Sequence, residues 1–384
     1  MGIGPMKYMG SKRVMLSNGL GELLDKEVPK AKRFVDMFLG TAEVASFVAQ
    51  RHVIPVYGVD LQAYSVVLAE AVIARCSVIP WHNVWKNWSA RARRVVVQFR
   101  SPKLSDEKRL TQGLVHECRI WCATKSDELP ITCAYGGHYF SPSQAVWIDA
   151  FRATLPEEEP LRTVALASLI RASSLCVASP GHTAQPFQPT KTARPFLEDA
   201  WRRDVRTKVR DALKDLANRH GKKIGAARIA DANEIAEGLT QGDVTFLDPP
   251  YSGVQYSRFY HVLETIARGN CGQVSGVGRY PTREQRPTSN YSLISESRSA
   301  LDELLSRISA KGARGILTFP DHECSNGLSG DDVRDIAQAH FKVTEKVIAS
   351  RFSTLGGRGS GRKKVAKRKP RHDTNELVLL LRPK

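Results

Sequence analysis

The chain has 384 residues, enough for a substantial core and more than one lobe, and carries 57 Lys and Arg against 39 Asp and Glu, a formal charge of +18. That balance suits a polyanion such as nucleic acid. No apolar run approaches the roughly 18–20 residues of a membrane helix, and Met1–Lys7 lacks a signal-peptide core, so a cytoplasmic protein with no membrane partner is expected. The seven cysteines form no Cys-x-x-Cys pair, and Cys118 and Cys122 lack a second pair to complete a zinc site, so reduced thiols and no metal are expected.

Pro5-Met-Lys7-Tyr8-Met-Gly10-Ser11-Lys12-Arg13 comes first, with an aromatic, a Gly-Ser turn and three cations ahead of a helix predicted from Val14 to Leu24. A tight turn at a helix start, with Lys12 beside it, suits an anionic or carboxylate ligand. Arg33-Phe-Val-Asp36 then reads as a strand running into Phe38-Leu39-Gly40-Thr41-Ala42 and a small-residue helix. A glycine at such a first βα turn lets a cofactor approach the backbone closely. The next strand, Val53 to Val59, ends on Asp60, about 20 residues beyond Gly40, the usual separation of an acid that holds ribose hydroxyls. Together these features point to an adenosine-type cofactor.

Residues 76–223 read as an inserted, mainly helical and loop lobe between 1–75 and 224–384. Trp81, Trp85 and Trp88 fall at helical spacing and are read as core. Helices are predicted over Ser143–Ala153 and Leu161–Val177. The Pro- and Thr-rich stretch Ser179 to Arg194, containing Lys191, is a long polar loop, and loops of that length in compact domains are functional or disordered.

Past the insert, Ala227-Arg-Ile-Ala-Asp231-Ala232 is a strand ending in an acid. Asp243-Val-Thr-Phe-Leu-Asp248-Pro249-Pro250-Tyr251 follows. Val244–Leu247 reads as a buried strand, and the two prolines cannot continue its hydrogen-bond ladder. A stiff loop therefore holds the Asp248 carboxylate and a bare carbonyl at the carboxyl edge of a sheet, where open α/β folds bind ligands. Both groups can accept hydrogen bonds from a planar exocyclic amine, and Tyr251 can stack on the ring that bears it. One helix is then predicted from Tyr256 through Arg258 to Arg268, a basic loop over Gly269–Ser292, a helix over Ser295–Ala310, a strand over Gly315–Phe319 and a helix over Asp331–Phe341. Residues 351–371 hold nine Lys and Arg, four Gly and no acid, and read as a loop tethered by a final strand, Asn375–Leu381.

Taken together, these segments resemble the Dam-like, α-type DNA adenine-N6 methyltransferases, whose catalytic motif is Asp-Pro-Pro-Tyr. Lys7 to Lys12 is similar to that family's N-terminal motif, Lys-aromatic-x-Gly-x-Lys. Phe38-Leu-Gly40-Thr-Ala42 is similar to its Phe-x-Gly-x-Gly, with Ala42 in place of the second glycine. The resemblance implies a Rossmann-like α/β methyltransferase sheet with helices on both faces, and a target-recognition role for the insert. It implies S-adenosylmethionine as cofactor, held by Tyr8, Lys12, Asp36, Phe38, Gly40, Asp60, Asp231, Ala232 and Asp248. It also implies catalysis by Asp248, Pro249, Pro250 and Tyr251 on adenine flipped out of double-stranded DNA. Expected DNA contacts are Lys7, Lys191, Arg258, Lys363, Lys364, Lys367, Arg368 and Lys369, those in the glycine-rich loop touching phosphates rather than bases. A monomer or weak dimer is expected, with room for a cognate restriction endonuclease or a defence system acting separately. An RNA amino-methyltransferase and an inactive DNA-binding relative are the alternative readings.

Overall fold

The computed structural model describes residues 6, 12–102, 109–125, 128–270, 272–353 and 371–384, apart from the side chains of 349–353 and 371–374. Lys7, Tyr8, Lys363, Lys364, Lys367, Arg368 and Lys369 lie outside the described residues. Short apolar runs form β1 Arg33–Asp36, β2 Val56–Asp60, β3 Ala226–Ile229, β4 Asp243–Leu247 and β5 Arg314–Pro320. Two longer strands, β6 Phe341–Ser353 and β7 Arg371–Pro383, complete a seven-stranded sheet in the order β3-β2-β1-β4-β5-β7-β6. The first five are mutually parallel, whereas β7 runs antiparallel to both β5 and β6.

Side chains alternate across the sheet with the two-residue period of a strand. Phe34, Val244, Phe246 and Ile316 enter one core, with the helices Glu43–Arg51 and Ala63–Ile73. Val35, Leu247, Leu317 and Phe319 enter another, with Ser297–Ala310 and Gly330–His340. Burial on both faces is why these strands read as unbroken apolar runs. The chain winds outward from β1 through β2 to β3, then restarts at β4 and winds the other way. The reversal between β1 and β4 opens a crevice at the carboxyl ends of the strands.

The insert contains seven helices among the described residues and no named strand. Five of them, Trp81–Val96, Pro130–Tyr135, Pro142–Ala153, Leu161–Cys176 and Val205–Ala217, contribute to the same core as β1 and β4. Trp88 is fully buried there, its indole donating to the Phe151 carbonyl at 3.0 Å. A small separate core around Leu110, Val115, Cys118, Leu197 and Trp201 marks the part of the insert farther from the sheet.

Several elements differ from expectation. The helix predicted over Val14–Leu24 breaks at Asn18 and Gly19, where Gly19 takes φ 98, before resuming as Gly21–Glu27. The helix predicted from Tyr256 to Arg268 divides at Tyr260 (φ −128) into Tyr256–Phe259 and His261–Arg268. The loop over Gly269–Ser292 contains a hairpin, Val274–Ser275 with Tyr280–Pro281. Strand β6 is an element that the sequence alone does not suggest, and it carries Arg351 to Ser353 out of the expected loop, as β7 does Arg371. Its exposed, charge-rich alternation masks a strand held by thirteen paired positions with β7. Among the described residues, no helix is long and apolar enough to cross a membrane, and no group of three or more His, Cys, Asp or Glu could hold a metal ion.

Candidate active site

Four adjacent parallel strands, β3-β2-β1-β4, each deliver an aspartate to the same edge. They are Asp231 two residues beyond β3, Asp60 ending β2, Asp36 ending β1 and Asp248 just beyond β4. At about 4.8 Å between strands the row spans roughly 14 Å, the length of a nucleoside-sized ligand. All four line one cleft with Lys12, Phe38, Gly40, Ala232, Pro249, Pro250 and Tyr251. The cleft encloses about 980 Å³ of empty space, counting the solvent at its open mouth. Of the residues proposed for chemistry and cofactor, only Tyr8 is missing from this lining, because it lies outside the described residues.

The stiff loop after β4 is held from below. Buried Asn326 donates to the Pro250 carbonyl at 3.0 Å and to the Tyr291 carbonyl at 3.1 Å, while Ser325 Oγ accepts the Gly253 N–H at 3.0 Å. Tyr251 is half-buried, edge-on to Tyr256 and Phe319 at 6.4 and 6.5 Å. Burial pushes its phenol up to about 12, so the ring stays neutral at any physiological pH.

Asp248 is gripped on one oxygen. Lys12 Nζ lies 3.0 Å from Oδ1 and Thr318 Oγ1 donates to the same atom at 3.0 Å. Neither interaction uses Oδ2. Burial pushes this carboxyl up to about 6 against the pull of Lys12, so it is ionised at neutral pH yet more basic than a solvated Asp. Lys12 in turn bridges to Glu376 on β7. Burial alone would lower the Lys12 ammonium, but the two carboxylates hold it above its ordinary value.

Glu376, Thr318 and Asn326 are residues that sequence reasoning missed. Glu376 opens the apolar run of the last strand and looks like an ordinary strand-end acid. It reaches the site because β7 runs antiparallel, which brings its beginning to the edge where the parallel strands end. An isolated acid ahead of Leu377–Leu381, in a strand buried on both faces, is the one signal that could have flagged it.

The Gly40 side of the cleft is built from backbone. Gly40 turns with φ 51, and its N–H donates to Asp60 Oδ2 at 2.9 Å, while Gln62 N–H donates to Oδ1 at 2.9 Å. Asp36 is buried, accepts the Phe38 N–H at 3.3 Å, and is pushed up to about 7 by burial, with Asp248 and Asp60 adding repulsion. Asp60 is pushed up to about 6, again chiefly by burial. Asp231 caps the helix Ala232–Ala236 through the Asn233 N–H at 2.8 Å. Phe38 stands edge-on to Tyr291 at 5.1 Å.

Does this lining fit S-adenosylmethionine? Four carboxylates share the edge with one lysine that is already paired, so the cleft lacks positive charge, which the sulfonium and ammonium of that molecule carry. In addition, Gln62 Oε1 is buried in the lining without a partner among the described residues, an acceptor awaiting a ligand donor. The residues fit.

Of the expected DNA contacts inside the described residues, Arg258 is exposed one turn beyond Gln255 and Tyr256, which line the cleft. Lys191 is exposed on the insert loop and lies outside the lining.

Residues 8–313 match the model of the D12 class N6 adenine-specific DNA methyltransferases. The chain is 26% identical over 282 residues to Modification methylase StsI of Streptococcus sanguinis, covering 71% of this chain and 38% of that protein. It is 24% identical over 314 residues to Modification methylase LlaI of Lactococcus lactis subsp. lactis, covering 79% and 44%. A third relative, Type II methyltransferase M.FokI of Planomicrobium okeanokoites, is 26% identical over 277 residues, covering 71% and 38%. The chain thus spans about two-fifths of the length of the curated relatives it matches. A family match over most of the chain, on a fold whose four strand-end acids and Asp-Pro-Pro-Tyr loop meet in one cleft, shows that it belongs to the D12 class N6 adenine-specific DNA methyltransferase family.

Proposed function

We propose that this chain moves a methyl group from S-adenosylmethionine to the N6 amine of adenine at specific sites in double-stranded DNA, taking the base into the cleft by flipping. The observation that carries this reading is Asp248: a half-buried, basic carboxylate whose Oδ2 has no partner among the described residues, in the same cleft as the Gly40 turn and Asp60. Asp36, Phe38, Gly40, Asp60, Asp231 and Ala232 would hold the cofactor, which supplies an electrophilic methyl on a sulfonium when bound. A base in a duplex cannot enter such a cleft, so it leaves the stack and lies against Tyr251. The amine donates to Asp248 Oδ2 and to the Pro249 carbonyl, which counters delocalisation of its lone pair into the ring. Lys12 and Thr318 fix the carboxylate for that interaction, so the residues contribute mainly positioning and electrostatics.

The insert is the part we assign to target recognition. The relatives' names, modification methylases and a Type II methyltransferase, support a role in DNA modification, and a separately acting restriction endonuclease is a partner we propose beyond those names. The test is transfer of labelled methyl from S-adenosylmethionine to duplex DNA and to RNA, followed by nucleoside analysis. N6-methyldeoxyadenosine from duplex DNA is expected. Label confined to RNA would replace this reading with an RNA amino-methyltransferase. Cofactor binding without transfer to either would leave an inactive relative.

A further inference from the structure

Most arginines in this protein that meet a charged partner meet an acid. Arg33 pairs with Asp243, Arg171 with Asp215, Arg314 with Glu27 and Arg334 with Asp321 and Glu345. At the mouth of the cleft the pattern fails. The Arg258 guanidinium lies 4.6 Å from the centre of the Tyr280 ring, and that of Arg286 lies 5.8 Å from the same ring. Among the described residues neither forms an ion pair with a carboxylate, although two like charges share one aromatic. Arg286 feels the repulsion: burial and then Arg258 lower its affinity for the proton, and the opposing pull of Tyr280 and of the exposed Glu284 only partly offsets them.

The ring that carries them is bolted down. The Tyr280 hydroxyl donates to the Ala184 carbonyl, and its neighbour Arg279 donates to the carbonyls of Ala134 at 2.8 Å and Cys133 at 3.2 Å. Tyr139 Oη donates to the Gly278 carbonyl at 2.9 Å. The hairpin Val274–Pro281 is therefore anchored to the insert, while both arginines come from segments that line the cleft. Arg258 follows Tyr256 and Ser257, and Arg286 precedes Pro287, all three being lining residues. Guanidiniums stacked on an aromatic keep their in-plane donors available to an anion.

We propose that Arg258 and Arg286, stacked on Tyr280, form a preorganised clamp for a backbone phosphate of the nucleic-acid substrate at the mouth of the cleft. The proposal rests on the nucleic-acid substrate argued above. It gives the segment after the catalytic loop, rather than the insert alone, a hand in seating the strand whose base enters the site. A phosphate contact positions the backbone without reading sequence. An alternative anion, the cofactor carboxylate, makes a different prediction.

The experiment is fluorescence anisotropy with a mixed-sequence DNA duplex across a salt series, with cofactor affinity measured in parallel by calorimetry. The double variant Arg258→Gln, Arg286→Gln should bind DNA roughly tenfold or more weakly, with a log–log salt slope shallower by about 0.9 for each phosphate no longer neutralised. Cofactor affinity and the set of methylated sequences should stay as in the unaltered protein. The double variant Arg258→Lys, Arg286→Lys keeps the charge and should recover most of the slope. An unchanged slope in the Gln variant, a Lys variant as flat as the Gln variant, or a parallel loss of cofactor affinity would each overturn the clamp. If the unaltered protein does not bind the duplex, the parent function falls and the clamp with it.

Discussion

Strands β2 and β4 flank β1 and bring an aspartate to the same edge, Asp60 at the end of β2 and Asp248 just beyond β4, yet the two carboxylates are held differently. Asp60 has both oxygens occupied by backbone N–H groups, from Gly40 and Gln62. Asp248 has, among the described residues, only Oδ1 occupied, by the side chains of Lys12 and Thr318. Both are pushed up to about 6 by burial, so neither exposure nor basicity separates them. The partners do. Asp60 fixes the shape of the turn through main-chain bonds and keeps only its remaining lone pairs for a ligand. Asp248 is steadied by side chains and, among the described residues, keeps Oδ2 clear of them. On the function proposed above, the same residue type at the same sheet edge would serve as scaffold in one case and as chemistry in the other.

The largest effect that tests this contrast is on Asp248. Asp248→Ala should cut single-turnover methyl transfer by roughly 10²–10⁴-fold or more, the range expected when a positioned proton acceptor is removed. Cofactor affinity should change by no more than about threefold, because the carboxylate serves the target amine. Rapid-quench transfer and calorimetry on one preparation give both values. Near-normal turnover would remove Asp248 from the chemistry.

Asp36 lies between the two and has its own signature. Its carboxyl is pushed from the ordinary 3.8 up to about 7 by burial, so the folded protein binds a proton there more tightly than the unfolded chain does. The stability this gives is fully present below about pH 4 and is lost as pH rises through about 7. Asp36→Asn removes the titration. Without cofactor, the variant should be more stable than the parent at pH 8, by on the order of a few kcal/mol, and the gap should close toward pH 4. Urea unfolding at both pH values measures it. A variant with the parent's pH slope would mean that the buried charge is neutralised in some other way.

Asp60→Ala should act on binding rather than rate. Charge-assisted hydrogen bonds contribute roughly 1.5–3 kcal/mol, so the cofactor dissociation constant should rise about tenfold or more. The Gly40 turn loses its anchor at the same time. Equal affinity in calorimetry would move the ribose site elsewhere along the edge.

What could be read from sequence follows the same division. Asp248, Asp60 and Asp36 were legible because strand ends, glycines and prolines are local signals, and local signals place a residue at a sheet edge. The row they form with Asp231 was not legible, since it depends on the strand order β3-β2-β1-β4. Glu376 was hidden for a similar reason: it lies 364 positions from Lys12 and reaches it because β7 pairs antiparallel with β5. The hairpin at Val274–Pro281 was hidden by its two-residue strands, too short for any alternation to show. Residues 76–223 showed the helices over Ser143–Ala153 and Leu161–Val177 and the helical spacing of Trp81, Trp85 and Trp88, but not the remaining helices such as Val205–Ala217, and not their attachment, because an apolar helix face does not state which neighbour it covers.

The smallest effect concerns Ala42, which stands where the family motif has its second glycine. Its backbone is left-handed, φ 57 and ψ 24, just ahead of the helix Glu43–Arg51. That conformation costs an L-residue about 1–2 kcal/mol, which glycine avoids. Against this, the Ala42 methyl is buried, and losing it forfeits about 0.8 kcal/mol. Glycine also loosens the unfolded chain, by roughly 0.4–1 kcal/mol. The terms oppose and nearly cancel, so Ala42→Gly should shift stability by less than about 1 kcal/mol in either direction, a few degrees in thermal midpoint at most. The Gly40 N–H bond to Asp60 does not involve the methyl, so cofactor affinity should be unaltered. A loss above about 2 kcal/mol would show that the methyl packs as a core group whose removal leaves a cavity. A marked gain in cofactor affinity would show instead that the methyl crowds the ligand, and that the turn, not Asp60, limits how closely it approaches.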